Sequence, residues 1–106
     1  MKKVTTILTL CILIAAPSAF AGGGSDGAAI YKTKCAMCHG PDGAGQTTMG
    51  KNLKVRALGS ADVQKQTDAA LTKWITDGKG KMPAYKGKLT PLDIDAVVAF
   101  IRTLKK

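Results

Sequence analysis

The sequence predicts an all-α domain. Three observations carry that expectation: a C-terminal segment with helix signals at both ends, a second apolar face that stops at a glycine, and no alternating apolar/polar run of the kind a half-buried strand needs. The C-terminal segment is the clearest. Thr90 stands at the N-cap, Pro91 at the first helical position where a missing N–H costs nothing, and Asp93 where a capping-box carboxylate reaches back. Leu92, Ile94, Val97, Val98, Ile101 and Leu104 then recur at helical intervals. Arg102, Lys105 and Lys106 load the end where cations meet the negative pole of the helix dipole.

Upstream, Thr67 or Asp68 opens a helix whose Leu71, Trp74 and Ile75 share one face and which Gly78 ends. Ser60 caps a short helix through Val63 and Gln64. Ser25 is placed to cap the first helix, with Asp26 in its first turn, and Ala28, Ala29, Ile30 and Tyr31 carry it into Cys35. Between these elements, the stretch from Gly40 to Gly50, with its glycines and Pro41, and "DGKGKMPAYKGK" read as loops.

The first residues read as a secretory signal. Lys2 and Lys3 precede an apolar run from Ile7 to Ala16, and Ala19-Phe20-Ala21 fits a small-x-small cleavage site. That run is shorter than the roughly 20 residues a membrane-spanning helix needs. Leu8-Thr9-Leu10 lack the small residues that would make Cys11 a lipoprotein cysteine. Cleavage after Ala21 is expected, with residues 1–21 lost, residues 22–106 forming one periplasmic domain, and residues 22–25 a flexible leader. Cys11 leaves with the signal, so Cys35 and Cys38 are the only thiols that remain.

Composition bounds the partners. The whole chain carries a formal charge of +9; without Lys2 and Lys3, 14 basic residues face 7 acidic ones, and no glutamate is present. Such a field favours acidic proteins or anionic surfaces. An exported chain with one Trp and no interleaving of aromatic and basic residues is not a nucleic-acid binder. Membrane contact is at most peripheral, and a monomer is expected. A domain this small, with two Phe, two Tyr and one Trp in the whole sequence, needs help to fill its core. A bulky apolar group from outside the sequence would supply it.

The stretch "CAMCHG" holds the only histidine and both remaining cysteines. A C-x-x-C-H sequence admits three chemistries. A redox dithiol expects its cysteines at the start of a helix after a strand, and no strand precedes these. A zinc site wants four ligands, usually Cys and His; with Cys11 gone the remaining chain offers three, and an Asp would have to complete the site. Covalent haem attachment asks for two thiols and an imidazole on one side of a helical turn. Cys35, Cys38 and His39 meet that demand if the first helix continues through residue 39.

Haem iron held by His39 has one further axial position. With no second His, the candidates are Met37, Met49, Met82, a lysine or no protein ligand at all. Met37 lies between the cysteines and points away from a ring they hold. Met49 follows His39 too closely to cross easily to the opposite face. Met82 sits in a glycine-punctuated loop with its backbone fixed by Pro83, which favours it.

"CAMCHGPDGAG", "LTKWITDGKGKMPAY" and "LTPLDIDAVVAFIRTL" together resemble the class I cytochromes c, small soluble monohaem proteins. The resemblance implies a cytochrome c fold, three to five helices and long loops wrapped around one covalently attached haem c. Cys35 and Cys38 would form the thioethers, and His39 and Met82 would ligate the iron axially. Gly27 and Tyr31 would meet Phe100 where the terminal helices cross. The function implied is one-electron transfer between redox protein partners with acidic docking surfaces, not transformation of a substrate. The alternatives are a haem peroxidase or gas-binding sensor with an open sixth position, and a thiol oxidoreductase without haem.

Leu53, Leu58, Leu71, Trp74, Ile75, Tyr85, Ile94 and Val98 are expected around the haem, with Trp74 Nε1 or Tyr85 Oη available to a propionate. The Pro41 carbonyl is the expected acceptor for His39 Nδ1–H. Lys79, Lys81, Lys86 and Lys88 around Met82, with Lys32 and Lys34 before the cysteines, form a cationic collar suited to steering an acidic partner.

Overall fold

The computed structural model describes residues 25–106. The expected signal peptide, its cleavage point and most of the flexible leader lie outside the described residues. Among the described residues six helices follow one another: α1 (Gly27–Lys34), α2 (Ala36–His39), α3 (Thr48–Leu53), α4 (Ala61–Gln64), α5 (Asp68–Asp77) and α6 (Pro91–Thr103). Among the described residues extended pairing is limited to the isolated bridges Lys79–Met82 and Lys86–Leu89, so the fold is all-α.

The number of helices exceeds the expected three to five for two local reasons. Cys35, at φ −116°, breaks the first helix, so the attachment segment becomes the separate α2. In addition, the expected loop from Gly40 to Gly50 ends in α3. There Thr47 accepts from Gly50 N–H at 2.9 Å, an N-cap that a glycine-rich context disguises.

The other caps follow side-chain chemistry. Ser60, Thr67 and Thr90 each accept from the N–H three residues on. Thr90 and Asp93 complete the reciprocal capping box, at 3.1 and 2.9 Å. The first helix differs from expectation by one residue. Asp26, not Ser25, is its cap, accepting from Ala29 N–H at 3.2 Å. Ser25 instead donates its hydroxyl to Asp93 Oδ1, tying the start of the described chain to the start of α6.

Helix α6 is the spine. Its Ile94, Val97, Val98 and Ile101 are buried together with Val63, Leu71 and Ile75. Leu92 falls off that face and is exposed. Helix α1 crosses α6 at Gly27, where a Cβ would stand 2.1 Å from the Ala96 carbonyl oxygen, so only a glycine permits this approach. One turn on, Tyr31 is buried and its ring centroid lies 4.8 Å from that of Phe100, tilted by 45°. The far end of α6 is tied to α4 and α5 through Arg102, which donates to the Gln64 and Gln66 carbonyls and pairs with Asp68.

Candidate functional site

The backbone of the Cys35–His39 segment is satisfied almost atom by atom. Cys35 C=O accepts from Cys38 and His39 N–H, at 3.3 and 3.0 Å, and Ala36 C=O accepts from Gly40 N–H at 2.8 Å. The second of these is the i to i+4 bond, so helical spacing survives the break at Cys35. Cys38 C=O receives the Thr47 hydroxyl at 2.9 Å, and His39 C=O receives Gly45 N–H at 2.8 Å. Gly40 C=O receives the Tyr31 hydroxyl at 2.6 Å. Gly50 lies so close beneath the segment that a Cβ there would come within 2.2 Å of the Cys38 carbonyl oxygen. Thr47 and Gly50 are therefore part of the site. Sequence reading missed both, because the glycines around them signalled only a loop.

Cys35 and Cys38 are half-buried and are not joined by a disulfide. Burial, and secondarily Cys38, push the Cys35 thiol up to about 11. A redox dithiol needs the opposite shift toward thiolate, and here no strand leads into the motif. Burial lowers the basicity of His39 and so favours the neutral imidazole, the form a metal requires. His39 Nδ1 is buried without a hydrogen-bond partner. The expected bond to the Pro41 carbonyl is not formed: the turn that follows directs the exposed Pro41 outward, while Gly45 closes on the His39 backbone.

The three methionines of the described chain separate clearly. Met37 is 75% exposed and Met49 45%, whereas Met82 is half-buried and packs against the α5–α6 core. Cys35, Leu58 and Tyr85 rest on that same core, also half-covered. Backbone geometry holds Met82 there. Its N–H and C=O exchange bonds with Lys79 at 3.0 and 3.1 Å. Gly78, at φ +69°, approaches so closely that a Cβ would lie 2.6 Å from the Met82 carbonyl oxygen. Tyr85 N–H and Lys86 N–H then bond the Ile75 and Thr76 carbonyls, pinning the loop to the end of α5.

Of the expected haem surroundings, Leu71, Ile75, Ile94 and Val98 are buried in the core, Leu58 and Tyr85 are half-buried against it, and Leu53 is half-buried in α3. Trp74, at the edge of the Leu71–Ile75 face, is 40% exposed, with Lys79 Nζ 4.5 Å from its ring centroid. The Tyr85 hydroxyl is engaged as well: it donates to the Lys34 carbonyl at 2.8 Å rather than standing ready for a propionate.

These donors fit a haem. Two unpaired thiols, one neutral imidazole and one half-buried thioether sulfur are the groups that would tether it and ligate its iron. The half-covered apolar surfaces of Leu58, Met82 and Tyr85 are what an apolar macrocycle would bury.

A protein-family model described as "Cytochrome C oxidase, cbb3-type, subunit III" matches residues 23–101. Cytochrome c6 of Picosynechococcus sp. strain PCC 7002 is 36% identical over 111 residues, covering 95% of this chain and 92% of the relative. The chain is a class I c-type cytochrome. It carries one covalently bound haem c and serves electron transfer rather than the transformation of a substrate. Cytochrome c6 of Nostoc sp. strain PCC 7120 is 34% identical over 110 residues, covering 95% of this cytochrome and 92% of its own chain. Among solved structures, the KustC0563 c-type cytochrome superposes with a TM-score of 0.72 at 36% identity, covering 76% of this cytochrome and 99% of that chain. Cytochrome c6C from Synechococcus sp. PCC 7002 gives 0.56 at 37% identity, covering 74% and 93%.

Proposed function

We propose that this cytochrome is a periplasmic, monomeric carrier of single electrons, exported and cleaved after Ala21, with Cys35 and Cys38 as the thioether anchors and His39 and Met82 as the axial ligands. The observation that carries the reading is the placement of Met82. Alone among the methionines of the described chain, it is half-buried on the core that also supports Cys35. Bound haem supplies an iron centre that cycles between the ferrous and ferric states.

The chain's own residues decide how that centre is used. Cys35 and Cys38 fix its position, and the hydrogen-bonded backbone of α2 fixes theirs. His39 offers a neutral nitrogen. Met82 offers a soft sulfur that favours the ferrous state and raises the potential relative to other axial sets. Together they would hold the iron and leave it no position for substrate, and the chemistry it supplied would be outer-sphere electron transfer. The buried apolar side chains beneath add a low-dielectric wall that disfavours the extra ferric charge.

Lys32, Lys34, Lys79, Lys81, Lys86 and Lys88 are all exposed. Among the described residues the ion pairs are Lys65–Asp62 and Arg102–Asp68, so these six cations stand unpaired toward an acidic redox partner. Among the described residues, no helix is long and apolar enough to cross a membrane.

The test is Met82→Ala in the haem-loaded protein. Loss of the ferric near-infrared methionine–iron band and a lower reduction potential are expected. An unchanged spectrum and potential would reject Met82 as the ligand and transfer the role to Met49.

A further inference from the structure

We propose that Tyr85 is a positioning residue for the sixth ligand, clasping the Met82 loop to the backbone immediately ahead of Cys35. The inference rests on the reading of Met82 as ligand and goes beyond it. The chain has two tyrosines, and each donates its hydroxyl to a main-chain carbonyl at one end of the attachment segment. Tyr31, from within α1, bonds Gly40 C=O just after His39, at 2.6 Å. Tyr85, from the Met82 loop, bonds Lys34 C=O just before Cys35, at 2.8 Å and across 51 residues of sequence. Lys34 ends α1, so its carbonyl is one of the last four that lack an acceptor role within the helix.

The other ties of the loop all run to one side. The Lys79–Met82 pair is internal to it, and Tyr85 N–H and Lys86 N–H bond the Ile75 and Thr76 carbonyls of α5. Among the hydrogen bonds of the described residues, the Tyr85 hydroxyl alone joins this loop to the Cys35 side of the molecule. A swing of the loop away from the attachment segment would leave every α5 bond intact and break this one. The Tyr85 ring, half-buried on the core beside Cys35 and Met82, keeps its packing when the hydroxyl is removed. The hydroxyl's contribution can therefore be isolated.

The experiment is a titration of the ferric haem-loaded protein with imidazole, followed by loss of the near-infrared methionine–iron band, in wild type, Tyr85→Phe and Tyr31→Phe. Removing one neutral hydrogen bond that holds the ligated state shifts such an equilibrium by a factor of about five. Imidazole is expected to displace Met82 about that much more readily in Y85F. Y31F loses a comparable bond on the His39 side, so its imidazole affinity stays at the wild-type value even as its thermal midpoint falls. Equal affinity in wild type and Y85F overturns the proposal, as does an equal gain in Y31F. Should Y31F fail to accumulate, the comparison of wild type with Y85F decides alone. Met82→Ala separates the two levels: if its spectrum matches wild type, the assignment of Met82 has failed rather than the clasp.

Discussion

Ser25 shows how much one side chain at the edge of a domain can do. Its composition and place suggested a helix cap, and Asp26 took that role because its longer reach meets Ala29 N–H at 3.2 Å. Ser25 donates to Asp93 instead. That bond, and after it the one from Thr90 N–H, holds the Asp93 carboxyl below its ordinary range. A carboxylate whose folded pKa is depressed contributes stability that is present above its unfolded value, about 4, and is lost as pH falls through the folded value. Ser25→Ala should therefore raise the Asp93 pKa and move acid unfolding of the haem-loaded protein to higher pH. Superimposable acid-unfolding curves for wild type and S25A would show that the bond has no such effect. His39 makes the complementary point. Its identity and spacing suggest a ligand, but local sequence does not encode that its Nδ1 is buried without a partner while Gly45 and Thr47 bond the His39 and Cys38 carbonyls.

At the level of helices, legibility followed the caps. The ends of α4, α5 and α6 could be read from Ser60, Thr67 and Thr90 because an N-cap is chemistry within four residues. Helix α3 was hidden because Gly50 is a poor helix former, and its reason for being there is the Cys38 carbonyl 2.2 Å from where a Cβ would sit. That contact comes from another helix, beyond any sequence window. The crossing of α1 and α6 was readable only through family resemblance, and the structure supplies its cause at Gly27. Gly27→Ala places a methyl against the Ala96 carbonyl oxygen, and the overpacking should cost about 1–3 kcal/mol. Chemical denaturation of the haem-loaded variant checks this; stability equal to wild type would mean that the two helices part without strain.

Taken as a whole molecule, the protein joins a small core to a strongly positive surface. Among the described residues, a core of eight buried apolar side chains leaves Cys35, Leu58, Met82 and Tyr85 half-covered. The sequence already pointed to this shortage through its few aromatic residues, and the haem of a c-type cytochrome answers it. Trp74, expected beside the haem, is likewise partly open, 40% exposed with Lys79 over its ring. The unpaired lysines around Met82 act at longer range. Electron transfer to an acidic redox partner should slow as ionic strength rises, since salt screens steering over roughly 10 Å. A rate independent of salt would remove the collar from the docking step.

Carbon monoxide decides between a closed electron-transfer centre and an open gas-binding or peroxidatic one. It is added to the dithionite-reduced, haem-loaded protein at neutral pH while the visible spectrum is recorded. If His39 and Met82 hold the iron as proposed, the reduced spectrum is expected to stay unchanged. Immediate conversion to a carbon monoxide adduct would contradict the proposed function, because it would mean that the sixth position stands open.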